Sequence, residues 1–264
     1  MVAQKTCQGV GKSNHCNAWV QFDNAPCFGA NNIPSLQRWG ARSTPNNHGV
    51  LVYWNKDTFS LEYCKEAMMI LSINPQNPQM RLVRRVSDIL DNGGLIAYPT
   101  DTFYGIGCDL LNKKGIQLIH KMKSRPLTKP FSIICDSLKE ISHYAKVSNY
   151  AYKAMRRFLP GPYTFILEGT KLVPKISLTK RKTVGIRVPD NRICLEIVKA
   201  LGRPIISTSA GYDDPIDIRD AYSFSLEAIV DGGILYPSPS SVISLIGNEP
   251  EIIREGKGDV SSFK

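Results

Sequence analysis

Apolar residues recur at two different periods from about residue 68 to the end of the chain, and glycine or proline separates the segments. Segments with apolar residues every three to four positions predict amphipathic helices, and short apolar or β-branched runs predict buried strands. Helices are predicted over 82–90, 116–122, 138–145, 149–159 and 193–201, and strands over 95–98, 131–135, 163–167, 184–188, 205–206, 242–246 and 252–253. Because the two kinds of element alternate, we expect an α/β domain with a twisted sheet. The Pro160-Gly161-Pro162 break and the neighbouring strands favour a mixed sheet over a purely parallel one.

The first 67 residues have a different composition. They are rich in Asn, Gln, Ser and Gly, lack apolar periodicity, and contain all three tryptophans of the chain, Trp19, Trp39 and Trp54. We therefore predict a poorly structured N-terminal extension at 1–67 and one folded domain at 68–264.

Several compartments and cofactors are disfavoured by the sequence. No apolar run is long enough to form a transmembrane helix, so no membrane association is expected. The seven cysteines are scattered without a Cys-x-x-Cys pair, which is typical of reduced thiols, and the four histidines do not combine with them at metal-ligand spacings. No metal site is predicted. A cytoplasmic location is expected, with organelle targeting by the N-terminal extension as the open alternative.

Positive charge is concentrated in one segment. Eighteen of the 33 Lys and Arg residues lie between Lys113 and Arg192 with only four acidic residues, so this segment has a formal charge of +14 against +10 for the whole chain. Such an asymmetry favours a surface that binds a polyanion, either a nucleoside triphosphate or RNA, although a merely solubilising surface would have the same charge.

Four polar loops follow or flank the predicted strands. The first, 99–105, carries hydroxyls and a carboxylate at the end of a strand, and suits either a ligand or a capped turn. The second holds Lys123 and Arg125, two cations that suit a triphosphate or complement the dipole of the preceding helix. In the third, Arg187 lies within an apolar strand and needs an anionic partner, either a ligand or a salt bridge. The fourth, 207–211, lets a ligand approach the backbone, or is a polar turn.

Together these loops resemble the YrdC/YciO family of threonylcarbamoyl-AMP synthase-like proteins, and most closely its YciO branch. The resemblance runs from about Ile73 to Val260. It rests on PTDTFYGIGCD (99–109), KSRP (123–126), KPFSIIC (129–135), LPGPYTFIL (159–167), VGIRVPD (184–190), PIISTSA (204–210), PSSVISL (239–245) and IIREG (252–256).

The resemblance implies a single YrdC-like α/β domain with a twisted mixed sheet, helices packed on it and a basic concave face. It also implies an ATP-dependent nucleotidyltransferase that joins L-threonine, bicarbonate and ATP, with Mg²⁺, into threonylcarbamoyl-AMP and pyrophosphate for the tRNA modification threonylcarbamoyladenosine. By motif position, the implied roles are catalysis and phosphate binding for Lys123 and Arg125, substrate binding for Thr100, Arg187, Ser207 and Ser209, and nucleotide binding for Ser209, Ser240, Ser241 and Arg254.

One position departs from the family pattern. Active synthases have Ser-x-Asn where this chain has Ser209-Ala210-Gly211, so an amide is missing and a weak activity is expected. Two other hypotheses stay open: a non-catalytic protein of the YciO branch that binds double-stranded RNA or tRNA through the same basic face, and adenylate chemistry on a different amine. Either a monomer or a homodimer is expected.

Overall fold

The computed structural model describes residues 68–264, apart from Ser223, Pro237 and Asn248, and the backbone of three strands before them. These strands, β1 (Gln37–Ser43), β2 (Gly49–Asn55) and β3 (Thr58–Cys64), form an antiparallel sheet in the order β1-β2-β3. The sequence analysis did not anticipate them. The rest of the extension lies outside the described residues, so its predicted lack of structure stays a prediction. The chain divides into two compact units, 1–67 and 68–264.

The second unit alternates strands and helices around one large sheet. In chain order its elements are β4 (Met69–Ser72), α1 (Met80–Asp91), β5 (Ile96–Tyr98), β6 (Gly105–Asp109), α2 (Lys113–Met122), β7 (Ser132–Ile134), α3 (Leu138–Tyr144), β8 (Ala145–Lys146), α4 (Asn149–Phe158), β9 (Tyr163–Gly169), β10 (Thr183–Arg187), α5 (Arg192–Leu201), β11 (Ile205–Ser209), α6 (Pro215–Tyr222), β12 (Ala228–Asp231), β13 (Ser241–Ser244) and β14 (Glu251–Arg254). Single 3₁₀ turns occur at Lys175–Ser177 and Ser261–Phe263.

The sheet has eleven strands, and ten of them follow the order β14-β13-β9-β10-β7-β11-β6-β5-β12-β4, with β8 paired to β9. Its centre combines parallel β10–β7 pairing with antiparallel β11–β7 and β11–β6 pairing, which confirms the predicted mixed sheet. The predicted α/β class is confirmed as well. Among the described residues, no helix has both the length and the apolar character that crossing a bilayer requires.

Helix ends follow local chemistry. The side chains of Asn112, Ser137, Ser148 and Asn191 accept hydrogen bonds from backbone N–H groups in the first turns of α2, α3, α4 and α5, and so satisfy donors that have no partner within the helix. Gly202 ends α5 at φ +70°, a conformation that glycine adopts without the steric cost of a β-carbon.

Two hydrophobic clusters lie on opposite faces of the sheet, as the alternation of strand side chains requires. Ile205 belongs to the cluster that packs against α1 and α5, and its neighbour Ile206 belongs to the cluster on the other face with residues of α2, α3 and α4. On β10, Val184 and Ile186 belong to the cluster that contains residues of α2, α3 and α4. The alternate positions of the same strands point to the opposite face, the one that carries α1 and α5, and can build a site there.

Candidate active site

A cavity of about 550 Å³ lies over the central strands. Side chains two residues apart on a strand share a face, so Ser207 follows Ile205 on the side of the sheet that α1 and α5 cover. Ile205 is buried in the core cluster, whereas Ser207 lines the cavity. Thr164, Gly185 and Arg187 line it from β9 and β10. The cavity thus begins where the helical cover of this face ends.

The cavity lining is rich in hydroxyls and cations. Eleven of its 24 residues are serine or threonine, and four are basic: Arg125, Lys129, Arg187 and Arg254. None of the 24 is aspartate or glutamate. A concave surface with donors and positive charge, and without carboxylates, favours a ligand with several anionic oxygens.

Glycines keep the sheet surface low beneath this cavity. A β-carbon at Gly185 would lie 3.0 Å from the Ser132 hydroxyl, and one at Gly105 would lie 3.0 Å from the Tyr98 ring and 3.1 Å from the Ser207 hydroxyl. These separations are tighter than ordinary carbon contacts, so larger residues would raise the floor and displace the hydroxyls that line it.

The loop after β5 is held by its own hydroxyls. The Thr100 hydroxyl donates to the Phe103 carbonyl at 2.6 Å and accepts from the Thr102 amide at 3.1 Å, and the residue is 3% exposed. Thr100 lines the cavity as the sequence analysis expected, but its hydroxyl is engaged within the turn. The capped turn is therefore observed, and the ligand contact stays a prediction.

Arg187 projects from β10 into the cavity and is also paired. One of its terminal nitrogens donates to the Asp101 carboxylate at 2.7 Å and to the Thr102 hydroxyl at 3.0 Å. The side chains of Arg187 and Asp101 are 13% and 7% exposed. The second carboxylate oxygen of Asp101 accepts from the Asp190 amide at 3.2 Å, and Lys257 donates to the Asp101 carbonyl at 2.6 Å. Arg187 is thus an oriented cation whose charge is largely balanced.

Arg125 is a cation of a different kind. It donates to the Pro130 carbonyl at 3.2 Å, and its guanidinium carbon lies 5.0 Å from the centre of the Phe131 ring. His120 stacks on that ring at 4.1 Å, and burial lowers the pKa of His120, which favours the neutral imidazole. In the part of the chain that the structure describes, Arg125 has no carboxylate partner in an ion pair. Its charge is therefore available to an anion in the cavity.

The adjacent serines at the start of β13 have opposite environments. Ser240 lines the cavity, and its hydroxyl lies 2.9 Å from the Thr164 hydroxyl. Arg254 donates to the Ser240 carbonyl at 2.7 and 3.1 Å and so is fixed at the cavity wall. The Ser241 hydroxyl is fully buried, donates to the Gly258 carbonyl at 2.6 Å and accepts from the Gly256 amide at 3.0 Å. Of the two serines expected from the sequence, only Ser240 faces the cavity.

Lys123 does not line the cavity, although Arg125 does. Its ammonium donates to the Ala210 carbonyl and the Tyr222 hydroxyl, each at 3.1 Å. Lys123 and Arg125, which were both expected to bind phosphate, therefore do not both line the cavity. Neither side chain donates to a backbone carbonyl of α2. The hydrogen bonds of Lys123 go to Ala210 and Tyr222, and that of Arg125 goes to Pro130.

The fourth loop contributes Ser207 and Ser209, which both line the cavity. Tyr98 lies below Ser207 and donates its hydroxyl to that of Ser207 at 2.6 Å. The Ser209 hydroxyl accepts from the Gly211 amide at 3.1 Å, and Gly211 has φ +89°. A β-carbon is strained at this backbone angle, so the glycine that replaces asparagine also fits a local conformation that asparagine would adopt with difficulty.

The described cysteines and acidic residues offer neither a nucleophile nor a metal centre. Cys108, Cys135 and Cys194 are buried, and burial raises the pKa of each thiol, to about 12 for Cys108. A nucleophilic thiolate requires the opposite shift. Within the described residues, no group of three or more His, Cys, Asp or Glu side chains is arranged to hold a metal ion.

Seven of the nine expected site residues meet around one cavity: Thr100, Arg125, Arg187, Ser207, Ser209, Ser240 and Arg254. The sequence analysis did not assign roles to Tyr98, Tyr222 or Lys257. Tyr98 contacts Ser207, Tyr222 contacts Lys123, and Lys257 contacts the Asp101 carbonyl. A tyrosine that ends an otherwise apolar strand directly before proline was the one available signal for Tyr98. Nothing local in the sequence connects Tyr222 with Lys123.

Comparison with known proteins gives a consistent picture. The family model for Sua5, YciO and YrdC proteins, described as "Telomere recombination", matches residues 88–256. The uncharacterized protein YciO of Escherichia coli is 41% identical over 199 residues, which cover 72% of this chain and 97% of that protein. Its crystal structure superposes with a TM-score of 0.71 at 40% identity, covering 75% of this chain and all of the other.

Two other relatives, a threonylcarbamoyl-AMP synthase and a Sua5 protein, are less similar in sequence. A threonylcarbamoyl-AMP synthase of Hydrogenovibrio crunogenus is 33% identical over 175 residues, covering 63% of this chain and 94% of that protein. The crystal structure of Sua5 of Pyrococcus abyssi, solved in complex with L-threonine, superposes with a TM-score of 0.67 at 28% identity. The superposition covers 72% of this chain and 58% of the other. The family resemblance inferred from the motifs is confirmed: this chain belongs to the Sua5/YciO/YrdC family and is more similar to YciO than to these two relatives.

Proposed function

We propose that this protein is an ATP-dependent threonylcarbamoyl-AMP synthase-like enzyme, with L-threonine and bicarbonate as the other substrates and pyrophosphate as the second product. The product would supply the threonylcarbamoyl group for a tRNA modification. The observation that carries the proposal is the cavity lining, which combines four basic side chains and eleven serine or threonine residues without a carboxylate. It is supported by a relative named threonylcarbamoyl-AMP synthase at 33% identity and by one named putative threonylcarbamoyl-AMP synthase at 34% identity.

The proposed reaction brings anions together. The threonine amine and bicarbonate condense to a carbamate with loss of water. A carbamate oxygen then attacks the α-phosphorus of ATP, and the bond from that phosphorus to the oxygen bridging the β-phosphate breaks, so pyrophosphate leaves. Charge accumulates on the phosphate oxygens during this step, and fixed cations lower its barrier without a covalent intermediate on the protein.

The two classes of cation suit two parts of the substrates. Within the described residues, the side chains of Arg125 and Arg254 donate only to neutral oxygens, so their charge is available to a polyphosphate. Arg187 is already balanced by Asp101, so it suits a singly charged group such as the threonine carboxylate. Ser207, Ser209 and the Thr100 turn would supply neutral hydrogen bonds along the same wall.

Magnesium would enter with the nucleotide. Mg²⁺ prefers oxygen ligands and near-octahedral geometry, and it commonly uses substrate phosphates, water and one or two carboxylates. The cavity lining offers hydroxyls but no carboxylate, so the described residues do not form a Mg²⁺ site of their own. When bound, the ion would neutralise part of the phosphate charge, and no step of the proposal depends on a protein ligand to it.

The proposal is tested by pyrophosphate release from the full chain with ATP, bicarbonate and threonine, omitting each substrate in turn. Release should require all three, and serine or valine in place of threonine should lower it. Activity that persists without threonine would point to another amine or to simple ATP hydrolysis. Absence of both turnover and ATP binding would defeat the enzyme hypothesis.

One observation favours a second candidate, an RNA-binding role for the same face. Thr179 and Thr183 both line the cavity, and their hydroxyls lie 2.7 Å apart, which closes a tight turn. The turn exposes Lys180, Arg181 and Lys182 at the cavity rim. Three exposed cations at one rim would suit the phosphate backbone of tRNA or double-stranded RNA.

This candidate is separated from the first by neutralising the turn. A triple change to glutamine at Lys180, Arg181 and Lys182 should weaken binding of tRNA and lower the slope of log affinity against log salt by about 0.7–0.9 per lost phosphate contact. Pyrophosphate release without RNA should be unchanged. Loss of turnover in the absence of RNA would instead assign the turn to the enzyme site.

A further inference from the structure

The end of α6 reaches the end of β11 through a three-way contact. Lys123 donates from its ammonium to the Ala210 carbonyl and to the Tyr222 hydroxyl, and the Tyr222 hydroxyl donates to the same carbonyl, each at 3.1 Å. The ammonium also lies 5.6 Å from the centre of the Tyr222 ring. Both the hydroxyl and the ring of Tyr222 therefore fix the end of the Lys123 side chain.

The Lys123 ammonium keeps its charge and one donor. An ammonium has three N–H groups, and the hydrogen bonds to the Ala210 carbonyl and the Tyr222 hydroxyl use two of them. Both acceptors are neutral oxygens. Among the ion pairs of the described residues none includes Lys123. A single free donor on a full positive charge is suited to an anionic oxygen.

The ammonium is held next to the cavity wall. Ala210, its acceptor, directly follows Ser209, which lines the cavity, and the Ala210 amide donates to the Tyr104 carbonyl at 2.7 Å, which fixes that backbone. A β-carbon at Gly211 would lie 3.8 Å from the ammonium. The glycine thus leaves open the space beside Lys123, and an anion extending past Ser209 would meet the free N–H.

A lysine at such a position needs an orienting partner. Its four-carbon stem has many rotamers, and ordering it costs free energy unless neighbouring groups hold it. Tyr222 supplies a hydrogen bond and a cation–π contact from α6, whose last residue it is.

We infer that Tyr222 is a positioning residue for Lys123, and that the pair presents the lysine ammonium to a phosphate group at the rim of the cavity beside Gly211. The inference rests on the proposed function for the identity of the phosphate compound, ATP.

The test is calorimetric binding of ATP with Mg²⁺ to the full chain and to variants. Tyr222→Phe keeps the ring and removes the hydroxyl, and should weaken ATP binding about 3- to 10-fold, the effect of one lost hydrogen bond. Tyr212→Phe is the matched control, because its ring meets that of Tyr222 edge-on at 6.1 Å. It should leave ATP affinity unchanged.

A double-mutant cycle distinguishes positioning from a general structural role. If Tyr222 acts through Lys123, then Tyr222→Phe should have no further effect on ATP affinity in a Lys123→Ala background. An equal loss in both backgrounds would overturn the inference, and so would unchanged affinity in Tyr222→Phe. Either result would overturn only the role of Tyr222, because the proposed function is tested separately by pyrophosphate release from the unmodified protein.

A measurement on the unmodified protein covers the case in which Tyr222→Phe does not fold. ATP should protect the Lys123 amine from reductive methylation, followed by mass spectrometry, while exposed Lys121 in the last turn of α2 remains reactive. Unprotected Lys123 in the presence of bound ATP would overturn the inference. Protection of Lys123 without any turnover would support it and count against the proposed reaction, and absence of ATP binding would overturn both.

Discussion

Replacing Asp101 with alanine should destabilise the domain at 68–264 by about 3–5 kcal/mol, the cost of removing one partner of a buried ion pair. The pair with Arg187 is short, at 2.7 Å, and both side chains are largely buried. Alanine would leave the guanidinium without its carboxylate and the Asp190 amide without its acceptor. Asp101→Asn keeps an acceptor oxygen but loses the charge, so a smaller loss of about 1–3 kcal/mol is expected.

Urea unfolding followed by far-ultraviolet circular dichroism is the appropriate assay, since urea does not screen charges. Tryptophan fluorescence would be misleading, because every tryptophan of the chain lies before residue 68. The midpoint and slope should be compared for each variant, because a changed slope would indicate that unfolding is no longer two-state.

Two further variants decide whether the ion pair is responsible. Asp190→Asn is the matched control, since only the Asp190 backbone amide contacts Asp101, and stability should change by less than about 0.5 kcal/mol. Combining Asp101→Ala with Arg187→Met should cost less than the sum of the single changes, because no charge is left buried alone. Strict additivity, or a loss below about 1 kcal/mol in Asp101→Ala, would refute the reasoning.

Three other predictions concern binding, pH and domain limits. Arg125→Ala should weaken ATP binding by about 1.5–3 kcal/mol in a calorimetric titration, whereas Arg157→Ala, at an exposed position of α4, should not. Burial raises the pKa of Glu140 from 4.5 to about 7, so the stability that its protonated form contributes is complete below about pH 4.5 and is lost as pH rises through about 7. Glu140→Gln should flatten this decline in urea midpoints measured between pH 4 and 8. A chain that begins at Met69 should keep its free energy of unfolding, measured in urea by circular dichroism, within about 1 kcal/mol, and a larger loss would mean that the preceding residues stabilise the domain.

Helices were predictable where local chemistry sets their ends. The predicted helices 138–145 and 193–201 lie next to Ser137, which caps α3, and Gly202, which terminates α5, since capping depends only on neighbouring backbone groups. Strand β6 was not predicted, because Gly105 and Gly107 lower its β propensity and resemble turn residues. Their role is close packing: a β-carbon at Gly107 would lie 2.5 Å from the Ile206 carbonyl. That requirement comes from the neighbouring strand and cannot be read locally.

The sequence predicted most of the side chains that line the cavity, but not the directions in which the side chains point. The motifs brought Arg187, Ser207 and Arg254 to one cavity, since strand ends in a common sheet converge. Which of Ser240 and Ser241 faces the cavity depends on the register of β13, because adjacent strand residues point to opposite faces. The direction of Lys123 depends on Tyr222, 99 residues away. Orientation was therefore fixed by contacts distant in sequence.

The hydrogen bond between Tyr98 and Ser207 gives the cavity floor a direction. Complete burial raises the pKa of the Tyr98 phenol, so it stays protonated at all physiological pH values and acts as the donor. The Ser207 oxygen consequently accepts, and its own proton is left to point away from the tyrosine. A serine held in this way still has its own O–H to donate, so it favours a ligand that presents an acceptor at this point. Phosphate and carboxylate oxygens are such acceptors, whereas an ammonium group could use only the remaining lone pair of the serine oxygen.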